Sequence, residues 1–338
     1  MPDDRHSPRP KGAFRMPPLF QHVTPVRPED ATGQVAAVYD QVNTEFSTIG
    51  PAVMMLSPAP ELLVSGWALL RESLVAGTVP RWRKEIVTVS VSQTNRCAYD
   101  TAGHLVFLRL AGGGHLADAL ERGTTPAEPE LAALARWARS GGTPPFPAPE
   151  APEYIGTALA LHFINRMVLA LLNGDLLPGS MQEGEPATFD GAPIARAIRR
   201  QRTPGDSLRL LDPLPREGIP AWAGDSPVGP AYVALRTAAS RSQGLLSEPA
   251  SKVVRDTITQ HRGLLDDRAW LAESLAPLDP DDRPAATLAI LAGLAPSQIT
   301  NEDVTRWRAN GYTDHGLLHL LGYGAITAVA HLETTIAR

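Results

Sequence analysis

The chain has 338 residues, 31 basic and 36 acidic side chains, a net charge of −5 and a single cysteine. That balance, with no Lys/Arg cluster interleaved with aromatics, excludes a nucleic-acid-binding surface and leaves small molecules or protein as partners. One cysteine excludes an intramolecular disulfide, and the lack of any run of about 18 apolar residues argues against a membrane span, so a cytoplasmic protein is expected.

The first residues, "MPDDRHSPRPKGAF", are polar and proline-broken, and 1–20 is expected to be a mobile tail with no apolar stretch of the secretory type. From there the pattern turns helical. Gly33 to Phe46, Pro60 to Ala76, Arg81 to Thr94, Cys97 to Ala111, Glu128 to Ser140 and Tyr154 to Asn173 all carry apolar residues at spacings of three and four. "VTVSVS", Val87 to Ser92, alternates like a strand, but it lies between helical segments with no partner strand and is read as helix. The fold class expected is therefore all-α.

Strong breaks follow at Gly141 to Pro152 and Leu176 to Pro193. They divide the chain into a site-bearing domain at 21–178, a linker at 179–226 and a second helical half at 227–338. Part of the second half can be laid on the first. Arg71 to Leu74 ("RESL") and Ala272 to Leu275 ("AESL") coincide at an offset of 201 residues, with Trp67 and Trp270 close by. At that offset Glu85 falls on Ala286, Cys97 on Gln298 and His104 on Thr305, so the second copy keeps helices and loses the chemistry.

The chemistry centres on "RCAYDTAGH", Arg96 to His104. On a helix Cys97, Asp100 and His104 share one face, with Asp100 about 60° and His104 about 20° from Cys97. Thr94 and Asn95 are good N-cap residues, which places Cys97 in a first turn where the helix dipole favours a thiolate. Asp100, one turn on, opposes that ionisation and suits a proton shuttle with His104. Glu85, twelve residues before Cys97, is expected to fold back over it, giving a carboxylate and an imidazole either side of a thiol.

His162, Asn165 and Arg166 fall on one side of an otherwise apolar helix. Arg166 reads as an anchor for a substrate carboxylate, with His162 and Asn165 beside it, or equally as a structural network, for instance paired with Glu85. Tyr99 joins the expected substrate-binding set. His315 and His319 have an i, i+4 spacing able to hold a metal, but no Glu follows the first His as in a zinc-hydrolase helix. Gly112 to Gly114 reads as a helix C-terminus, since no Lys-Ser/Thr of a phosphate loop follows. No metal and no cofactor are expected.

"KEIVTVSVSQTNRCAYDTAGHLVFLRLAGG", Lys84 to Gly113, resembles the signature of the AhpD-like, carboxymuconolactone decarboxylase superfamily. In its alkylhydroperoxidase branch the pattern is Glu, eleven residues, Cys-x-x-Cys, three residues, His. Glu85, Cys97 and His104 match it, and Asp100 replaces the second cysteine, the one usually credited with attacking the peroxide. Tyr154 to Pro178 and Asp282 to Val304 are similar to later segments of longer members.

The resemblance implies an AhpD-like helical bundle, duplicated with a degenerate second copy, and a homo-oligomer. Without the cysteine pair it also implies the decarboxylase usage: acid–base chemistry on a small organic acid, with Glu85, Cys97, Asp100 and His104 catalytic. The alternatives are a thiol-dependent peroxidase working through Cys97 alone, and a non-catalytic binding protein that retains the fold.

Overall fold

A computed structural model describes residues 19–174, 176, 191–241 and 244–338. The tail at 1–18 and most of the break after Leu176 lie outside the described residues. Those described carry fifteen α-helices and no β-strand, with two isolated bridges, Phe20 to Leu172 and Ala76 to Arg202. The all-α expectation is borne out.

The first helices are α1 (Gly33–Phe46), α2 (Pro51–Met54) and α3 (Pro60–Leu70). A π-helical turn, Arg71–Val75, extends α3. Next come α4 (Arg81–Thr94), α5 (Ala98–Leu110), α6 (Gly114–Glu121), α7 (Pro129–Ser140) and α8 (Ala151–Leu171). The second half comprises α9 (Gly191–Arg199), α10 (Val228–Ala239), α11 (Glu248–Thr259), α12 (Leu271–Leu275), α13 (Arg283–Leu294), α14 (Asn301–Arg308) and α15 (Asp314–Ile336). The strand-like Val87 to Ser92 lies within α4 and is buried. Its β-branched side chains are accepted in a helix because packing on all sides outweighs their small propensity cost.

Helix α8 is the axis of the molecule. Among the described residues it alone is long and apolar enough to cross a membrane, yet 89% of that apolar window is buried within the protein. It packs against α3, α4 and the π turn from the first half and against α10, α13 and α15 from the second. One contiguous apolar core consequently runs from Val23 to Ile336 through both halves.

Helices α13 and α15 approach so closely that a Cβ on Gly324 would lie 1.8 Å from the Ala289 carbonyl oxygen. Displaced by 201 residues, α4 would cover 282–295 and α5 299–311, where α13 and α14 stand.

The described part of the expected linker is held to the first half. Arg71, 1% exposed, donates to Glu45 at 2.8 Å, to Glu72 at 2.8 Å and to the Thr203 carbonyl at 3.2 Å. Glu72 in turn accepts from the Gly205 and Ser207 N–H groups at 2.5 and 3.0 Å. A fully buried carboxylate with this many donors satisfies the requirement that buried charge be paired.

Candidate active site

Helices α4 and α5 meet at a tight corner. Asn95 ends α4, Arg96 takes a left-handed conformation with φ 54°, and Cys97 is the N-cap of α5. The corner folds α5 back along α4 and brings His104 against Glu85. His104 Nδ1 lies 2.7 Å from Glu85 Oε2, which also accepts from Thr88 Oγ1 at 2.8 Å, while Arg81 Nε donates to Oε1 at 2.5 Å.

Burial of Glu85 alone would raise its pKa. The charges of Arg81 and His104 and their hydrogen bonds outweigh it and hold the carboxyl down to about 2. An ionised carboxylate only accepts, so the proton between the pair sits on Nδ1, and in the neutral ring the lone pair is on Nε2.

His104 of this pair borders a cavity of about 160 Å³ whose walls are mainly apolar and aromatic, including Phe46, Trp67, Phe107 and Ile164. The polar lining comes from Thr48, Arg81, Tyr99, Asp100 and His104. An engineered cavity of about 150 Å³ admits benzene, so the space suits a small organic molecule. Among the described residues Arg81 is the one arginine or lysine on this wall. Its guanidinium lies 5.6 Å from the Phe46 ring centroid, and its Nη2 is buried without a hydrogen-bond partner. Burial raises the Tyr99 pKa well above the ordinary phenol value, with Asp100 adding to the effect, so Tyr99 remains a donor.

Behind the cavity lies a polar network. Asp100 accepts from Asn165 Nδ2 at 2.6 Å and from Cys97 Sγ at 3.4 Å, and Asn95 Nδ2 donates to Asn165 Oδ1 at 2.9 Å. Burial, and then the Asp100 charge, push the Cys97 thiol well above its ordinary value. The expected first-turn thiolate is therefore corrected. Cys97 caps α5 from outside it, fully buried, with its thiol donating to a carboxylate. Asp100, raised by burial, is partnered by Asn165 and Cys97, so the proton partner of His104 is Glu85.

The residues expected on α8 separate from the cavity. His162 takes 3.1 Å contact from Asn95 Nδ2 on its Nδ1 and, with Asn95, lines another cavity of about 190 Å³. Arg166, 1% exposed, donates from Nε to the Gly293 carbonyl and from Nη1 to the His162 carbonyl, each at 2.9 Å. It joins α8 to α13, in keeping with the structural-network alternative though not through Glu85, and it is Arg81 that lines the cavity. Arg81 and Asn95 were missed. An i, i+4 Arg81–Glu85 spacing could have signalled the first, whereas Asn95 reads only as a capping residue.

An all-α bundle with a buried glutamate holding a histidine at the wall of a small apolar cavity is the architecture of an AhpD-like protein. No family model matches the chain. It is 37% identical over 329 residues to a Mycobacterium tuberculosis protein named alkyl hydroperoxide reductase Rv2159c, covering 94% of this chain and 95% of that one. The chain belongs to this AhpD-like alkyl hydroperoxide reductase family.

Proposed function

We propose that the chain is an acid–base enzyme acting on a small organic acid bound in the cavity between α1, α3, α4, α5 and α8. The observation that carries this reading is His104 at the wall of that cavity, 2.7 Å from a buried Glu85 that is itself pinned by Arg81 and Thr88. His104 Nε2 takes or returns the substrate proton, and Glu85 orients the ring and stabilises the imidazolium as it forms. Arg81 offers Nη2 to the substrate carboxylate, and Tyr99 supplies a neutral hydroxyl.

The test is a panel of small carboxylic acids and lactones, followed by NMR for decarboxylation, isomerisation or elimination. Glu85→Gln and His104→Gln should each lower kcat/KM at least 100-fold, with Cys97→Ser within a few-fold of the parent. Retained activity in both dyad variants would sink the reading.

The relative named alkyl hydroperoxide reductase favours a second reading, hydroperoxide reduction at Cys97. The Cys97 thiolate would attack the outer peroxide oxygen, breaking the O–O bond to give a sulfenic acid and an alcohol, with His104 supplying the proton. Two external thiols would then return the sulfenic acid to thiol, forming a disulfide and water. Burial of Cys97 and its bond to Asp100 weigh against it. Loss of thiol-dependent peroxide consumption in Cys97→Ser would put this reading first.

A further inference from the structure

Three ligand-type side chains converge away from the Glu85–His104 cavity. Glu61 lies in the first turn of α3, and His315 and His319 lie one turn apart on α15, so both rings share a face. The Thr313 hydroxyl accepts from the Gly316 N–H and fixes the start of α15 just before His315. The two rings are 4.6 Å apart between centroids. Both Nε2 atoms point at the same oxygen, Glu61 Oε1, at 2.9 Å from His315 and 2.7 Å from His319. One donor atom from each residue lies within 4.8 Å of the other two.

We propose that Glu61, His315 and His319 form a binding site for a divalent transition-metal ion of the zinc class, with its open coordination positions facing the adjoining cavity. Two imidazole nitrogens and one carboxylate oxygen form a donor set that suits Zn²⁺ and its neighbours in the first transition row, whereas Ca²⁺ and Mg²⁺ take oxygen. Around a tetrahedral ion with bonds of about 2.0–2.1 Å, neighbouring donor atoms lie roughly 3.3 Å apart. The donors present are at 2.7 and 2.9 Å. An opening of about half an ångström, a small torsional change in Glu61, seats the ion.

To ligate through Nε2 each neutral ring carries its proton on Nδ1, leaving the Nε2 lone pair for the ion. Glu61 presents Oε1 as the carboxylate donor shared by both rings. His319 is 5% exposed and His315 51%, so the site has a fixed inner ligand and a side reached from solvent. The neighbouring cavity, about 650 Å³, is bordered by all three ligands and by Arg236, Ser240 and Arg241. The arginines weaken the hold on a bare cation and favour an anion on the open position. The fourth ligand suited to this cavity is accordingly a carboxylate or phosphate oxygen.

The chelator-treated full chain would be titrated calorimetrically with Zn²⁺ alone, and in parallel with Co²⁺ followed by visible absorption. One ion per chain is expected, with affinity at least tenfold weaker in His315→Asn, His319→Gln and Glu61→Gln and unchanged in Cys97→Ser. His315 is half exposed, so His315→Asn keeps the test decisive even if the buried His319 variant does not fold. Binding by the parent chain no tighter than by His315→Asn, or loss of binding in Cys97→Ser, would overturn the site.

Discussion

Glu85 ties together three side chains that would each be left worse off without it. Its carboxylate is fully buried between Arg81, Thr88 and His104, so Glu85→Gln leaves the largely buried Arg81 guanidinium unmatched. Breaking a buried ion pair from one side costs about 3–5 kcal/mol, and a loss in that range is expected in urea unfolding at pH 7.

The pH dependence follows from which state binds the proton. The folded pKa of Glu85, about 2, lies below the ordinary value of 4.5. Its contribution is therefore complete above about pH 4.5 and disappears as the pH falls towards 2. His162, lowered from 6.5 to about 3 by burial first and by Arg166 next, acts with the same sign at higher pH, because only the unfolded chain takes its proton between 6.5 and 3. His22, also lowered by burial, acts in the same direction below 6.5. Stability should thus begin to fall below about pH 6.5, by up to about 1.4 kcal/mol per pH unit for each such group, and His162→Gln should flatten the slope between 6.5 and 4.5.

Helical spacing made the shared face of Asp100 and His104 legible in the sequence. Which carboxylate His104 would take was not legible, since that depends on the left-handed turn at Arg96. The partner of Arg166 was not legible for a similar reason, as the Gly293 carbonyl it meets is 127 residues away.

At the scale of elements, apolar periodicity located α1 and α4 to the residue and α5, α7 and α8 to within a few, because each buries a continuous face. The same spacing runs on through the π turn after α3, to Ala76, without marking the change of helix type. That turn is held by the buried Arg71–Glu72 pair and the backbone of 203–207, a contact more than 130 residues distant. Glu72→Ala should release that segment, cost about 3–5 kcal/mol and raise proteolysis near Thr203, measured by limited digestion. The α13–α15 crossing permits a sharper test. Gly324→Ala sets a methyl group 1.8 Å from a backbone oxygen that cannot rotate away, so the helices must separate. Overpacking typically costs 1–3 kcal/mol. With backbone as the obstacle, a loss of about 3 kcal/mol or more is expected in chemical denaturation, against near-neutral behaviour for Gly244→Asn, where an added Cβ meets nothing within 4 Å and asparagine tolerates the positive φ of 76°.

For the molecule as a whole, the question is whether two sequence halves are two folding units. On the duplication reading, α13 and α14 repeat α4 and α5 with Ala286, Gln298 and Thr305 where the first copy has Glu85, Cys97 and His104. A second copy freed from chemistry still has apolar faces to bury. It buries them against the first: α10 packs on α3, and α13 and α15 pack on α8, within one core. Independent halves would need separate cores joined through a thin, polar contact. Here the shared helix α8 has almost no surface outside the protein. Calorimetry should then record a single unfolding transition, with the calorimetric and van't Hoff enthalpies equal. A chain ending at residue 178 should fail to give a cooperative transition, because it exposes the faces of α3 and α8 that the second half covers. Two resolved transitions, or a cooperative fold for the shorter chain, would mean that the halves stand alone and that the site on α4 and α5 does not depend on the degenerate copy for its support.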